Sequence, residues 1–359
     1  MSTATLFITR KFPPAVGGME TLAADVWATL EADGGDRGDR LIAYGGANRW
    51  MPLWLPGAVI RLWWLVATRR VRHVLVGDVL LYLLLRPVLA LTRVPHAVMA
   101  MGKDVVWTPA PYQRWVRAVL PKAPLVLAIS SATADTVRSA GANPERVQVV
   151  RLGVQVPELR DRAQARSELR ERWDVPADAL TCLTLGRLVR RKGVPWFVDQ
   201  VLGGLPQVVY LVAGSGPEAE VIAEAVARHG LSDRVRLLGA VSDGDRELLM
   251  AGADVFVQPN ISVLGDMEGF GLVAVESAMR GSLVVASELE GLRDAVVDGE
   301  TGLLVPSGDA EAWTRVIDGL RADPEGTERR AAAFAERTRE LYSREKMGAE
   351  LRRVLGLGE

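Results

Sequence analysis

The sequence is nearly devoid of cysteine and histidine, which excludes several classes of protein. Its 359 residues include one cysteine, Cys182, so no disulfide can form within the chain, as is typical of a reducing compartment. The three histidines, His73, His96 and His229, are widely spaced and match no metal-binding motif. We therefore expect neither a disulfide scaffold nor a metal site.

The sequence also lacks an excess of charge and any long apolar run. A formal net charge of −1 argues against general nucleic-acid binding. The apolar run 79–85 is stopped by Arg86, well short of the roughly 20 residues that a transmembrane helix needs. Residues 3–9 indicate a short strand followed by positive charge, on the wrong side for a secretion signal. We expect a cytoplasmic protein.

Apolar strand-like segments alternate with helical segments along the chain, which predicts a doubly wound α/β architecture. The candidate strands are residues 6–9, 74–76, 97–101, 125–129, 180–185, 208–213, 235–238, 255–258, 283–286 and 302–305. A charged segment between Gly153 and Arg170 interrupts this pattern. It predicts an N-terminal domain at 1–155, a C-terminal domain at 156–335 and a helical tail at 336–359.

Two glutamates, Glu268 and Glu276, flank a Gly-Phe-Gly turn that leads into an apolar helical run. On one helix they would lie about 12 Å apart and about 80° apart around the axis, which disfavours the carboxylate pair of a glycoside hydrolase. We therefore place Glu268 in the loop before the helix. Gly269 and Gly271 let the backbone approach a ligand, and the first helical amides, up to Val273, would face an anion or sugar hydroxyls.

A basic motif supplies charge suited to a diphosphate. Gly186 follows a buried strand, and ligands bind at the carboxyl ends of parallel strands. Arg187 would contribute a planar fork and Lys192 a point charge. A second glycine turn, with Gly214 and Gly216, follows the next strand. That turn alone is equally well explained by a purely structural role.

In their order and spacing these elements resemble the retaining GT-B glycosyltransferases of family four, the glycosyl transferases group 1. That family shows a G-R-x-x-x-x-K-G element, an A-G-x-G-P turn and an E-x7-E element. The resemblance extends to residues 12–20, 73–78, 128–133, 251–259 and 299–306, and so covers nearly the whole chain. It implies an α/β GT-B fold, with two Rossmann-like parallel-sheet domains, a cleft between them and a last helix that crosses back to the first domain.

The resemblance further implies a metal-independent, retaining transfer of a sugar from a UDP- or GDP-linked donor to an acceptor hydroxyl, without a cofactor. The implied catalytic residues are Glu268, Arg187 and Lys192. The implied donor-binding residues are Gly17, Gly18, Gly186, Gly214, Gly216, Gly269, Phe270, Gly271, Leu272, Val273 and Glu276, with Glu276 on the ribose. Asp243 and Asp245 spell the D-x-D of metal-dependent GT-A enzymes, but their place before a helical run favours a helix cap.

One position departs from the family pattern. The family ends a strand of its first domain in H-G-x-D or H-G-x-E, and Met101 stands here where that histidine would be. Methionine cannot donate a proton or a strong hydrogen bond, and His96 would point to the opposite face of the strand. Two alternatives therefore stay open, a GT-B epimerase and a catalytically weak binding subunit. Lys103, Asp104 and Trp107 are acceptor-side candidates.

Seven of the ten tryptophans lie in the N-terminal half of the chain. Four of them fall within residues 50–64, beside Arg49 and Arg61, and further arginines follow up to Arg72. Aromatic residues beside arginines suit a membrane interface or a lipid-linked acceptor, and packing in the core or in loops is the alternative. The expected partners are a nucleotide sugar and a small-molecule, glycan or lipid-linked acceptor, with peripheral membrane contact through residues 49–72 left open.

Overall fold

The structure is a computed structural model and describes residues 4–15, 17–34 and 38–357. All strands of these ranges are short and mostly buried. They are β1 (Thr5–Thr9), β2 (Arg40–Ala43), β3 (His73–Val76), β4 (His96–Ala100), β5 (Val126–Ala128), β6 (Val147–Val149), β7 (Leu180–Leu185), β8 (Val208–Ala213), β9 (Val235–Gly239), β10 (Val255–Gln258), β11 (Leu283–Ser287) and β12 (Leu303–Val305).

The α-helices alternate with these strands. They are α1 (Gly18–Gly34), α2 (Met51–Ala67), α3 (Val79–Thr92), α4 (Lys103–Val106), α5 (Ala110–Val119), α6 (Ser131–Ser139), α7 (Arg162–Arg172), α8 (Val194–Gln200), α9 (Ala219–Arg228), α10 (Asp243–Gly252), α11 (Leu272–Met279), α12 (Leu292–Ala295), α13 (Ala310–Ala322), α14 (Pro324–Tyr342) and α15 (Arg344–Leu355). Among the described residues, none of these helices is long and apolar enough to cross a membrane.

The strands form two six-stranded sheets in which every pairing is parallel. The first sheet has the order β2-β1-β3-β4-β5-β6, and the second has the order β12-β11-β10-β7-β8-β9. In each sheet the direction in which successive strands are added changes once, beside β1 in the first sheet and beside β7 in the second. Two parallel sheets flanked by helices confirm the predicted α/β fold class.

Ten of the strands were predicted from the sequence, and β2 and β6 were missed. Both missed strands lie at the edges of the first sheet. β2 begins with the exposed Arg40, and β6 has three residues with the exposed Gln148 at its centre. Edge strands are solvated along one side, so they lack the continuous apolar run that marks a buried parallel strand.

The described chain divides into two compact units. The first unit contains the residues up to Gln155 together with 265–270 and 342–359, and the second contains 156–264 and 271–341. The expected division placed 265–270 in the C-terminal domain, whereas the contacts of this loop group it with the first unit. Glu268 therefore belongs to a different unit from Arg187 and Glu276.

The last helix is held within the first unit by the backbone around Ser343. The amide of Val154 donates to the carbonyl of Tyr342, and the amide of Arg344 donates to the carbonyl of Val154, both at 2.9 Å. From there α15 packs on α1. The guanidinium of Arg344 lies 2.5 Å from the Asp25 carboxylate of α1, so charge and backbone pairing both fix this helix.

The core of the second unit is built on aromatic packing across β7 and β8. The ring of Phe197 lies 5.1 Å from the ring of Tyr210 and 5.7 Å from that of Trp313. Cys182 is fully buried beside them, and burial raises the pKa of its thiol. A buried thiol held in its protonated form is unreactive.

Candidate functional site

The glycine turns that follow β7 and β8 press against each other at the carboxyl end of the second sheet. Gly186 and Gly214 have φ angles of 138° and 141°, which favour glycine. A Cβ atom on Gly214 would overlap the carbonyl oxygen of Gly186, and the Gly186 amide donates to the carbonyl of Ala213 at 2.9 Å. Gly214 is therefore required by packing within the protein, and Gly186 by its backbone conformation.

The second glycine of this turn supports the basic loop in the same way. A Cβ atom on Gly216 would overlap the carbonyl oxygen of Leu188. The amide of Leu188 donates to the carbonyl of Ser215 at 2.9 Å, and the amide of Glu218 donates to the carbonyl of Leu188 at 3.1 Å. Hydrogen bonds and close packing with this turn thus hold the loop that carries Arg187. A ligand contact by these glycines stays a prediction.

The two cations of the basic loop differ in their surroundings. Arg187 is exposed directly after β7, and its guanidinium forms no ion pair with any described residue. Lys192 is 9% exposed and ends a short 3-10 turn that begins at Arg190. Gly193 follows with a φ of 66°, and a Cβ atom there would overlap the carbonyl oxygen of Pro259. Both facts require glycine at this position. Arg187 is thus more exposed to an incoming phosphate than Lys192 is.

The N-terminal end of α11 has features expected of a binding site for an anion or a sugar hydroxyl. Its N-cap residue, Gly271, has a φ of 105°, and no side chain caps the helix. The first amide groups of any helix lack partners within it. Leu272 and Val273, the first two residues of α11, are both partly exposed. The predicted amide site therefore includes residues that are partly exposed, and a ligand contact there stays a prediction.

Glu276 is paired with a residue that the sequence gave no reason to select. Its Oε2 atom lies 2.5 Å from Nη2 of Arg246 on α10, and its side chain is 12% exposed. Arg280 bonds the backbone carbonyl of Glu276 at 2.9 Å and the carboxylate of Glu247 at 2.6 and 2.7 Å. Arg246 is 30 residues from Glu276, and no sequence motif links the two positions.

Glu268 is buried, at 8% exposure, in the loop 265–270 between β10 and α11. A Cβ atom on the neighbouring Gly269 would overlap the carbonyl oxygen of Met101. Gly102, with a φ of 83°, makes the matching close approach, since its Cβ would lie 3.3 Å from the Cα of Gly269. The ammonium of Lys103 lies 3.0 Å from the Asp266 carboxylate of the same loop.

The structure thus brings Glu268 to the turn after β4, where Met101 replaces the family histidine. Met101 is itself buried, at 5% exposure. Phe270 is also buried, and its ring lies 6.0 Å from that of Tyr342. The loop that carries Glu268 therefore contacts the turn that carries Lys103, and both belong to the first unit.

Asp104, an acceptor-side candidate, is buried and bonded to the backbone. Its two carboxylate oxygens accept the amides of Val79 at 2.9 Å and Met101 at 2.8 Å, and the Tyr112 hydroxyl donates to its backbone carbonyl. Burial, and then the nearby carboxylate of Asp78, raise the pKa of Asp104 to about 7, while the two amides act in the opposite direction. The side chain fixes the turn after β4.

Trp107, the third acceptor-side candidate, follows α4 with its ring 47% exposed. The ring meets that of Tyr112 edge to face, with 5.0 Å between the centroids.

Of the two N-terminal glycines, Gly18 begins α1, and a side chain there would meet no atom within 4 Å. Gly17 precedes it, and a Cβ on Gly17 would lie 2.5 Å from the Glu20 carboxylate.

The helix cap expected at Asp243 and Asp245 is wrong in one detail. The N-cap of α10 is Ser242, whose Oγ accepts the amide of Asp245 at 3.1 Å. Asp243 and Asp245 follow in the first turn, and Asp245 also lies 2.7 Å from the guanidinium of Arg172. No cluster of three or more His, Cys, Asp or Glu side chains suited to a metal occurs in the described parts of the chain.

Comparison with known proteins places these features in a family. Residues 165–341 match the family described as glycosyl transferases group 1. The D-inositol 3-phosphate glycosyltransferase of Xylanimonas cellulosilytica is 36% identical over 257 residues, which are 68% of this chain and 59% of that protein. The GDP-mannose-dependent α-(1-6)-phosphatidylinositol monomannoside mannosyltransferase of Mycobacterium tuberculosis is 27% identical, over 88% of this chain and 87% of that protein.

Two solved structures share the fold over nearly the full length. Anabaena HepE in complex with UDP and glucose superposes with a TM-score of 0.78 at 19% identity, covering 99% of each chain. The sucrose-phosphate synthase of Thermosynechococcus elongatus superposes with a TM-score of 0.80 at 22% identity, covering 98% of each. At these identities the likeness shows the fold, and it agrees with the predicted GT-B class.

Proposed function

Because the chain belongs, through its residues 165–341, to the glycosyl transferases group 1 family, we propose that it transfers a sugar from a nucleotide-diphosphate sugar to an acceptor hydroxyl with retention of the anomeric configuration. The observation that carries this proposal is that Arg187, at the carboxyl end of β7, is exposed and forms no ion pair with a described residue. It stands on a loop that paired glycine turns hold in place.

The proposed chemistry rests on charge at the leaving diphosphate. Arg187 donates a fork of hydrogen bonds to the phosphate oxygens, and Lys192 adds a second positive charge. Amides at Gly17 and Gly18 assist them. These groups stabilise the negative charge that develops as the glycosidic bond to the phosphate breaks. They take the place that a divalent ion has in metal-dependent transferases, so the proposed reaction needs no metal.

The sugar and the ribose are assigned to the E-x7-E element. Glu268 lies beside the sugar, where its negative charge stabilises the positive charge that develops at the anomeric carbon. The amides of Gly269 to Val273 bind sugar hydroxyls. Glu276 accepts hydrogen bonds from the ribose hydroxyls, and Arg246, 2.5 Å from its Oε2 atom, orients its carboxylate.

The acceptor is proposed to be a polyol hydroxyl on a small molecule, a glycan or a lipid-linked group. Two relatives with substantial similarity are named for inositol-containing acceptors. Lys103 and Trp107, both exposed near the turn after β4, are the acceptor-side residues available for such a group. Asp104 would act through the position of that turn.

Donor binding and the identity of the donor base are tested by thermal unfolding with a panel of nucleotide sugars. A ligand that binds the folded state alone stabilises it by mass action, by about 2.7 kcal/mol at a hundred times its Kd. We expect one UDP- or GDP-sugar to raise the melting temperature, and Arg187→Ala to remove most of that shift. A flat response to the whole panel would contradict the proposal.

A further inference from the structure

One part of the first unit carries surface charge of a single sign. Between Arg40 and Ala134 the sequence has twelve Lys and Arg residues and two acidic ones, Asp78 and Asp104. Both carboxyl groups are buried, whereas every basic side chain of the segment except that of Arg86 is exposed. Since the whole chain has a net charge of −1, positive charge is concentrated here.

The topology places the helices of this segment on one face of the first sheet. The connections from β2 to β3, β4 and β5 all advance along the sheet in one direction, and they contain α2, α3 and α5. The connection from β1 to β2 runs the other way and contains α1. Right-handed crossovers therefore put α1 on the opposite face. On that face the carboxylates of Glu20 and Asp25 are buried and form ion pairs with Lys11 and Arg344.

The outward side of α2 is apolar, although it faces solvent. Its exposed side chains include Leu53, Ile60, Trp63 and Trp64, which follow one another at helical spacing. The inner side is formed by Ala58, Leu62 and Leu65, which are buried in the core. The 17-residue helix contains a single charge, Arg61. Packing of α2 on the core therefore accounts for only one of its two apolar sides.

Tryptophan and arginine occur together along this face. The five exposed tryptophans among the described residues are Trp50, Trp63, Trp64, Trp107 and Trp115. The guanidinium of Arg70 lies 4.4 Å from the ring centroid of Trp64, and that of Arg49 lies 5.6 Å from that of Trp50. Tryptophan beside basic side chains is typical of the boundary between lipid headgroups and acyl chains.

We propose that the outer surface of α2, α3 and α5, which we term the basic face, docks on an anionic phospholipid bilayer. Charge complementarity selects an anionic surface. The apolar stripe of α2 selects a bilayer over a soluble polyanion, because Leu53 and Ile60 gain nothing from a fully hydrated partner. α2 lies in the plane of the interface, with its aromatic side among the headgroups.

Vesicle binding of the full-length chain tests this proposal without donor or acceptor, so its outcome is independent of the proposed reaction. We expect binding to vesicles that contain phosphatidylglycerol, weak binding to phosphatidylcholine alone, and loss of binding at high salt. Each basic residue near such a surface contributes about fivefold in affinity. The variant R61Q/R70Q/R72Q should bind about 100-fold more weakly, and W63S/W64S should also lose the blue shift of tryptophan fluorescence.

The matched control is R293Q/R315Q/R329Q, which removes three exposed arginines of the second unit. It should bind vesicles as the unaltered chain does, and thermal unfolding of every variant confirms folding. The proposal is overturned if the unaltered chain ignores anionic vesicles at low salt, or if the control loses as much affinity as R61Q/R70Q/R72Q. Capture by heparin without vesicle binding would instead assign the basic face to a soluble polyanion.

Discussion

Glu268 and Glu276 are eight residues apart in the sequence, yet they belong to different units of the structure. Glu268 lies in a loop of the first unit whose neighbouring glycine touches the backbone of Met101. Glu276 lies on a helix of the second unit and forms an ion pair with Arg246 at 2.5 Å. Close backbone packing at Gly269 holds the loop of Glu268, and an ion pair with Arg246 holds the side chain of Glu276. The two residues should therefore fail in different ways when they are changed.

The largest effect is expected at Glu268. Glu268→Gln keeps the shape of the side chain and removes its charge, so it should lower turnover about 100-fold or more, as loss of one electrostatic group in an active site does. Donor affinity and melting temperature should change little. Steady-state kinetics with thermal unfolding separates this outcome from a purely structural role, in which turnover stays near normal.

A smaller loss of turnover is expected at Arg187. A charged hydrogen bond is worth about 1.5–3 kcal/mol, so Arg187→Ala should lower turnover roughly 10- to 100-fold. Since Arg187 is exposed and forms no ion pair with a described residue, stability should be unaffected. The neighbouring Arg190, also exposed, offers a matched control whose alanine variant should keep normal kinetics.

Glu276 and Arg246 should affect donor binding and spare turnover. Glu276→Ala removes hydrogen bonds that are equal in the ground and transition states, so it should raise the donor KM about tenfold. Arg246→Ala should raise KM less, and the two changes together should be no worse than Glu276→Ala alone if Arg246 acts through Glu276. Additive losses would show that Arg246 contacts the donor by itself.

At Asp104 we expect a pH-dependent change in the free energy of unfolding. Because its folded pKa is raised to about 7 from an ordinary 3.8, the folded chain holds a proton that the unfolded chain releases between these values. Stability should then fall as pH rises through this window, by at most about 1.4 kcal/mol per pH unit. Asp104→Asn removes that titration. Urea unfolding at pH 5 and pH 8 should show the unaltered chain losing stability relative to the variant.

The smallest expected effect is that of metal removal. If Arg187, Lys192 and backbone amides stabilise the diphosphate, a chelator should leave turnover unchanged. Turnover measured with EDTA, and then with added manganese, decides the point. Activity that is abolished by EDTA and restored by manganese would instead assign a metal to Asp243 and Asp245.

The second sheet was the easier of the two to predict. β7, β8 and β10 have the bounds that the sequence predicted, because each is a fully buried run of mostly apolar residues followed by glycine or proline. In the first sheet the short edge strands β2 and β6 were missed, since three or four half-exposed residues carry no such pattern. The fold class followed from the alternation of strands and helices, which tolerates these omissions.

Within the candidate site, motifs predicted residue types but left their partners undetermined. Gly269 was expected to let the backbone approach a ligand, and the turn at Gly214 was left open between a ligand contact and a structural role. The structure shows protein carbonyl groups against the Cβ positions of both glycines. Arg246 was missed because α10 and α11 meet only in the folded chain. Asp104 was read as an acceptor-side residue, whereas the amides that its carboxylate accepts, from Val79 and Met101, follow from the fold.

The most direct test of the account is acceptor-dependent release of nucleoside diphosphate from the donor that the thermal panel identifies. With an inositol-containing acceptor present, we expect one nucleoside diphosphate and one glycoside per turnover, with the anomeric configuration of the donor sugar retained in the product. A donor that binds but yields no glycoside would contradict this account and support a binding subunit. Conversion of the donor to an isomer without an acceptor would support an epimerase.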